Sequence, residues 1–366
     1  MNHHLALLTT LLLWPLAAFA AEPPHILVRE SLQFENIGDS GRVPGTIWLF
    51  HQHLPEATVT LWPWHLHERE REMLMRAFPK LRIAEGEVDD AGHASTPELA
   101  AAWKDADIFI TPARHAKTFQ AWAKTGRPYG FFGSHFDPIS GRTSLPDGGT
   151  LEQLREAITK LPADHFDGHY KSRAVYDGAS FVFARDTYSL LYLQGQRLRT
   201  PIVEFGLDGT FGIAVRDEMT YEIAVAKEHL FDPLPVDVKP NVIWRDAFWL
   251  ADEAASVYAR AVAVISAECH SPIIALSQGT PAFYVRNPAD TVKAQMFRDL
   301  GLTNWVFEST HTTGQQLWEK LKPIHEDRAA GRAKVQTAMQ QAAKIQKRMI
   351  EAIAEAVDKH RSNTSR

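Results

Sequence analysis

The sequence of 366 residues contains a single cysteine, Cys269. An intramolecular disulfide is therefore excluded, and packing alone must hold the core together. The chain also lacks a basic run long enough to follow a phosphate backbone, and its formal net charge is −5. Nucleic acid is therefore not expected as a partner. Beyond the first twenty residues no apolar stretch has the length of a membrane-spanning helix, so we expect no membrane insertion of the mature chain.

The first twenty residues have the pattern of a secretory signal. Leu5–Leu13 is an apolar core, and Ala18, Phe19 and Ala20 form a small-x-small cleavage pattern. The segment is too short to span a membrane. We therefore predict that residues 1–20 are removed and that the mature protein is periplasmic or secreted.

Short apolar runs alternate with helical patterns along most of the mature chain, which is typical of an α/β fold with Rossmann-like parallel sheets. We predict a first lobe over residues 21–212, a smaller α/β lobe over 213–325 and a long C-terminal helix over 326–366. The predicted strands are Ile26–Arg29, Ala57–Trp62, Leu81–Ala84, Asp107–Thr111, Tyr129–Gly133, Phe181–Ala184, Val262–Ser266, Ala282–Tyr284 and Trp305–Glu308.

The C-terminal helix carries apolar residues three or four positions apart from Val335 to Val357. This spacing gives a narrow apolar stripe on an otherwise charged rod. We expect the stripe to dock across the two lobes. A homodimer held by a coiled coil is the alternative, because the stripe continues for several turns.

The segment 261–285 is predicted to form a strand, a short helix and a second strand. Ser271 is the expected N-cap, and Pro272 suits the first helical position. His270 and Glu268 then lie at the carboxyl end of a parallel strand, beside a helix N-terminus that favours anions. Open α/β sheets place their ligands at this edge, so we expect His270 to be a site residue.

Other predicted strands also end in polar residues. Asn36–Gly41 is interpreted as a glycine-rich loop before a helix at Thr46, whose Gly38 lets a ligand approach the backbone and whose Asp39 suits a base. Arg185 suits a carboxylate or phosphate, with an ion pair to Asp186 or Asp208 as the alternative. The further candidates at strand ends are Asp208, His135 and Asp137.

In this order, these segments resemble the polysaccharide pyruvyltransferase family. The matching elements are an N-x-G-D loop at Asn36–Asp39, Arg185-Asp186 followed by Ser189–Leu193, Asp208 at a strand end, and a closing block from Ser266 through His270, Ala275 and Gly279 to Pro281. The resemblance implies a GT-B-like two-lobed arrangement. It also implies transfer of a pyruvyl group from phosphoenolpyruvate onto two hydroxyls of a sugar, without a further cofactor.

Within that resemblance His270 is the acid, and the anionic groups of the donor bind near it. We assign Arg185, Ser271 and Gly38 to donor or anion binding, and Asp208, His135 and Asp137 to the glycan. Glu268 stands where the family has arginine, so a negative charge occupies that position. The alternatives are an exported glycan-binding protein without transfer activity, and a hydrolase of an acidic glycan substituent with Glu268 and His270 as the acid/base pair.

Three further features are interpreted as structural. The H-x-H pairs at 51–53 and 65–67 lack the further ligands of a zinc signature, so no metal site is predicted. Trp62 and Trp64 end a strand, where aromatic residues usually belong to the core. Cys269 is expected to point away from His270 because adjacent side chains diverge.

Overall fold

The computed structural model describes residues 22–32, 37–111, 116–136, 138, 149–163, 173–214, 234–242 and 249–365. The predicted α/β class is confirmed, and the predicted strands are found within three residues of their expected bounds. The strands are β1 (His25–Glu30), β2 (Thr58–Pro63), β3 (Arg82–Ile83), β4 (Ile108–Thr111), β5 (Tyr129–Ser134), β6 (Phe181–Ala184), β7 (Val203–Phe205), β8 (Val264–Ser266), β9 (Ala282–Arg286) and β10 (Val306–Glu308).

Two parallel sheets organise the described residues. The larger has seven strands in the order β3-β2-β1-β4-β5-β6-β7, and the smaller has three in the order β10-β9-β8. Val28 of the central strand β1 lies opposite Leu61 on one side and Ile110 on the other, and all three are buried. Because both faces of such strands are covered, their sequences are continuously apolar rather than alternating. The strand order reverses at β1, so the segments that follow β1 and β4 run in opposite directions along the sheet, and a crevice for a ligand is expected between them at the carboxyl edge.

Helices cover both faces of the larger sheet and connect the strands of the smaller one. They are α1 (Ile37–His53), α2 (Glu68–Ala77), α3 (Pro97–Asp105), α4 (Ala116–Ala123), α5 (Leu151–Thr159), α6 (Arg173–Asp177), α7 (Thr187–Gly195), α8 (Ala251–Tyr258), α9 (His270–Ser277), α10 (Gln295–Asp299), α11 (Gly314–Glu326) and α12 (Arg328–Thr364). Within the described part of the chain, none of these helices combines the length and hydropathy that a membrane crossing needs.

Helix α1 corrects the prediction of a glycine-rich loop. It begins at Ile37, so Gly38 and Gly41 lie in its first turns instead of in a loop before Thr46. These glycines serve close packing. A Cβ at Gly41 would lie 3.1 Å from the Thr210 side chain, and one at Gly45 would overlap the carbonyl of Gly209. The backbone of α1 therefore lies directly against the short 3-10 helix Gly209–Gly212.

The long C-terminal helix α12 contacts both lobes. Near its start, Gly331 lies against Pro281 and Ile324. Further along, the Met349 sulfur accepts a hydrogen bond from the backbone N–H of Leu207 at 3.1 Å. Near its end, Arg361 forms an ion pair with Asp107 at 2.8 Å. The apolar stripe thus packs against the chain's own lobes, and the homodimer stays an untested prediction.

A partly buried aspartate joins the two lobes at the start of α7. Asp299 of α10 accepts hydrogen bonds from the Thr187 backbone N–H at 2.8 Å and from its hydroxyl at 2.7 Å. Burial raises the pKa of Asp299 to about 6, although the hydrogen bonds from Thr187 and Gln295 act in the opposite direction. The folded protein therefore binds a proton here more readily than the unfolded chain does.

We expect this group to make the protein less stable as pH rises from about 4 to about 6. In this range the folded state still binds a proton that the unfolded chain has already released, so each rise in pH favours the unfolded chain. Asp299→Asn should remove that part of the pH dependence. Urea unfolding of wild type and variant across this range measures it, with Asp327→Asn, an exposed helix cap, as control. Parallel stability curves for wild type and Asp299→Asn would contradict the prediction.

Candidate active site

Three predicted site residues meet where the carboxyl ends of the two sheets face each other. Arg185 follows β6, Asp208 follows β7, and His270 begins the helix α9 that follows β8. All three are nearly or fully buried, with 5%, 0% and 7% of their surface exposed. The first two belong to the larger sheet and the third to the smaller. The cluster therefore lies at the junction between the lobes.

Asp208 is the centre of this cluster. One carboxylate oxygen, Oδ2, lies 2.8 Å from Nη1 of Arg185 and 3.6 Å from Nε2 of His270. The other, Oδ1, accepts hydrogen bonds from the backbone N–H of Thr210 at 3.0 Å and from its hydroxyl at 2.7 Å. The backbone bond caps the 3-10 helix Gly209–Gly212 and fixes the carboxylate. A rigid, buried anion thus stands between two cationic side chains.

Glu268 contacts the other edge of the imidazole. Its Oε1 lies 2.8 Å from Nδ1 of His270, while Oε2 accepts the backbone N–H groups of His270 and Ser271, each at 2.8 Å. The prediction that Ser271 is the N-cap is wrong, because α9 begins at His270, two residues before Pro272, and Cys269 occupies the cap position. The Glu268 carboxylate satisfies the free N–H groups of the first turn and complements its dipole.

Cys269 also contacts the imidazole, which corrects the prediction that the two side chains diverge. Its sulfur lies 3.2 Å from Nδ1 of His270 and the residue is 2% exposed. The chain turns into α9 at this point, so the alternation of a strand no longer applies. Among the described residues, Glu268, Cys269 and His270 place three potential metal-ligand atoms within 4.8 Å of one another. Direct pairing between Glu268 and His270 already accounts for two of these atoms.

The charges of the cluster follow from this geometry. Burial alone lowers the pKa of His270, but Cys269, Asp208 and Glu268 outweigh it and raise the pKa well above its usual range. Burial also opposes ionisation of Asp208, yet His270, Arg185 and Arg42 hold its pKa well below the usual range. The pKa of Glu268 falls to about 2, because contacts with His270 and with the first turn of α9 exceed the cost of its burial. At neutral pH an imidazolium therefore lies between two carboxylates.

The remaining predicted residues are less closely connected to this cluster. Gly38 packs its backbone against the His270 ring, since a Cβ there would lie 2.7 Å from the ring carbon Cγ. Asp39 is on the first turn of α1, but its side chain lies outside the described part of the structure, as does the whole of Asp137. His135 follows β5, and its Nδ1 lies 3.6 Å from Oδ2 of Asp186 rather than near Asp208.

Sequence reasoning missed Thr210 and Arg42. Thr210 follows Asp208 by two residues, a spacing at which an aspartate commonly bonds to the backbone ahead of it. Arg42 of α1 forms an ion pair with Glu30 at 3.0 Å and contributes to the low pKa of Asp208. Because Arg42 lies between the predicted loop Asn36–Gly41 and the predicted helix at Thr46, no sequence signal placed it at the junction.

The chain is similar in fold to solved GT-B proteins. UDP-GlcNAc 2-epimerase from Neisseria meningitidis, bound to UDP-GlcNAc, has a TM-score of 0.54 at 11% identity, covering 90% of this chain and 100% of that one. A Medicago truncatula protein complexed with UDP-glucose has a TM-score of 0.51 at 11% identity, covering 92% and 98%. UDP-glucose: anthocyanidin 3-O-glucosyltransferase in complex with UDP has 0.50 at 13% identity, covering 91% and 99%.

No protein-family model matches the sequence, and no curated protein is significantly similar to it. The identities to the solved structures are low enough that the likeness establishes the fold alone. The predicted arrangement of two Rossmann-like lobes is confirmed, with a small three-stranded second sheet and a long C-terminal helix.

Proposed function

We propose that the chain is a glycan-acting enzyme of the GT-B fold, with His270 as its acid/base residue and Glu268 as the partner of His270. The observation that carries the proposal is the imidazolium held between Asp208 and Glu268 at the lobe junction. A buried titratable group with a strongly shifted pKa at the carboxyl edge of parallel strands is typical of a catalytic site.

The two carboxylates have different roles in this proposal. Asp208 is completely buried and forms an ion pair with Arg185. The same carboxylate lies beside Nε2 of His270, where it orients the ring and stabilises its positive charge. The Glu268 side chain is 43% exposed, and it lies on Nδ1, where it connects the buried ring with the cleft. We keep Asp39, one residue after the glycine packed on His270, as the residue proposed to orient a hydroxyl of the acceptor. Arg185 is thus a positioning residue, because its charge is used by Asp208.

The resemblance stated above makes pyruvyl transfer the finer form of the proposal. In that reaction the donor's enol methylene gains a proton and becomes a methyl group, two sugar hydroxyls form bonds to the neighbouring carbon, and the bond from that carbon to the phosphate oxygen breaks. Of the two protons released by the hydroxyls, one restores the proton given to the methylene and the other leaves with inorganic phosphate. His270 supplies the proton. Phosphoenolpyruvate is then a substrate, and the protein needs no resident cofactor.

One observation favours a second candidate, the hydrolysis of an acidic substituent from a glycan. Glu268 fills the N-terminus of α9, where an anionic donor group would otherwise bind. Its negative charge opposes a phosphate at that position. A hydrolase needs no such donor, and Glu268 with His270 supplies the acid/base pair for water attack.

Product analysis separates these candidates. We expect the purified protein either to release phosphate from phosphoenolpyruvate when an oligosaccharide acceptor is present, or to release pyruvate from a pyruvylated glycan. His270→Gln should reduce whichever activity is found by about 100-fold, the scale of a lost general acid. His325→Gln on the exposed face of α11 is the matched control and should retain full activity.

The role of Glu268 is tested by the pH profile. Because Glu268 is among the groups that raise the pKa of His270, Glu268→Gln should lower that pKa. Activity that needs the imidazolium is lost as pH rises through this pKa, so the alkaline limb should move to lower pH. An NMR titration of the His270 ring measures the same shift without turnover. If wild type forms neither product yet binds glycans, the enzyme proposal fails and the binding-protein alternative stands.

A further inference from the structure

A second cluster at the carboxyl edge of the larger sheet is not used by the acid/base proposal. Arg29, near the end of β1, is 4% exposed. Its guanidinium carbon lies 3.9 Å from the ring centroid of Trp62 and 5.5 Å from that of Trp64. Trp62 is fully buried, as the sequence predicted, but Trp64 is 48% exposed. The arginine thus lies under an indole that faces solvent.

Although Arg29 is buried, its positive charge has few partners among the described residues. Nη1 donates to the Thr118 hydroxyl at 2.9 Å, and Nη2 lies 3.3 Å from the Glu87 carboxylate. Nε is buried and has no hydrogen-bond partner among the described residues. The Glu87 side chain is 71% exposed, so this ion pair contributes little and is easily exchanged. A buried guanidinium whose counterion is a solvated carboxylate is suited to accept a carboxylate from a ligand.

A chain of contacts connects the cluster with His270. The Trp64 backbone N–H donates to the Glu30 carbonyl at 2.8 Å, and the Glu30 carboxylate pairs with Arg42 of α1. Helix α1 in turn carries Gly38 against the His270 ring. The indole of Trp64 is braced by the His65 ring, which lies nearly parallel at 26° and 6.2 Å. A flat apolar surface and a buried cation are therefore connected through Glu30 and helix α1 with the proposed catalytic group.

We propose that Trp64 and Arg29 form a binding subsite for an acidic sugar residue. The indole face packs against the sugar ring, and the guanidinium binds the sugar carboxylate in place of Glu87. The ion pair with Glu87 indicates the chemical class of the ligand, because the group that now pairs with the Arg29 guanidinium is a carboxylate. The inference rests on the proposed function, since it names the class of glycan that the same cleft receives.

Binding can be measured without any turnover. We expect trigalacturonate to bind the full chain more tightly than neutral maltotriose in calorimetric titrations at low salt. Trp64→Ala should weaken trigalacturonate binding by about tenfold, on the scale of an aromatic contact. Trp318→Ala is the matched control, because Trp318 is 45% exposed on α11 and should have no effect.

Two charge variants separate the roles of the arginine and its counterion. Glu87→Gln removes the competing carboxylate and should strengthen trigalacturonate binding by about threefold, without changing maltotriose binding. Glu56→Gln, an exposed acid before β2 at the opposite edge, should change neither. Arg29→Gln should remove the preference for the acidic ligand, provided that circular dichroism shows a folded protein.

The outcomes are distinct from those of the enzyme proposal. His270→Gln should bind trigalacturonate as wild type does, because the substitution removes only the proposed acid/base group. If wild type itself binds trigalacturonate but turns over no glycan, the subsite is supported and the catalytic role of His270 is contradicted. The subsite is overturned if trigalacturonate fails to bind or binds no better than maltotriose. It is also overturned if Glu87→Gln leaves the affinity for trigalacturonate unchanged.

Discussion

Asp208→Asn is expected to destabilise the protein by about 3–5 kcal/mol, the cost of removing one partner from a buried ion pair. The substitution preserves the size of the side chain and one acceptor for Thr210, but it leaves Arg185 and His270 without their shared anion. Both cations have less than 10% of their surface exposed, so water cannot replace the lost charge. Urea unfolding at neutral pH measures the change.

A matched variant isolates the ionic part of this cost. Asp186 is also fully buried and caps α7 by accepting the Ser189 backbone N–H at 2.7 Å, but no ion pair between it and an arginine is seen among the described residues. Asp186→Asn should therefore cost only about 1 kcal/mol, as for a helix cap. The double variant Arg185→Met/Asp208→Asn should recover part of the loss, because the unpaired guanidinium is gone. Equal destabilisation by Asp208→Asn and Asp186→Asn would contradict the ionic explanation.

The sheet and most of the cluster were predictable from the sequence because both follow from local patterns. Runs such as Ile108–Ile110 and Phe181–Ala184 are apolar at every position, which distinguishes strands buried on both faces. Parallel strands end at a common edge, so polar residues that follow them converge even when they are distant in sequence. Arg185 and Asp208 met for this reason, and His270 reaches them from the carboxyl edge of the smaller sheet.

The parts that were wrong depend on contacts between distant elements. Gly38 and Gly41 suggested a loop, but the helix α1 needs them where it meets α9 and the 3-10 helix Gly209–Gly212. Intrinsic propensity penalises glycine in a helix, and only tertiary packing explains its presence there. The cap of α9 was assigned to Ser271 on residue type, whereas the Glu268 carboxylate accepts the N–H groups of His270 and Ser271 from two residues before the helix. That reach depends on the turn after β8, which no spacing in the sequence specifies.

Gly38→Ala should separate the contribution of this packing from that of the charges. Alanine is the better helix former by about 1 kcal/mol, so an isolated helix would gain stability. In the folded protein the new Cβ would overlap the His270 ring, whose Cγ lies 2.7 Å from that point. The ring is held by Glu268 and Asp208, and it cannot move without breaking one of these contacts. We expect a net destabilisation of about 2–3 kcal/mol, the scale of overpacking a rigid core.

Gly195→Ala is the matched control for this prediction. Gly195 is the last residue of α7, and a Cβ there would meet no atom within 4 Å. That variant should be neutral or slightly more stable in thermal unfolding, by up to about 1 kcal/mol. Gly38→Ala should in addition lower the pKa of His270 in an NMR titration, because displacing the ring lengthens its distances to both carboxylates. If Gly38→Ala matches Gly195→Ala in stability and leaves that pKa unchanged, the backbone of α1 does not hold His270 in its place between the lobes.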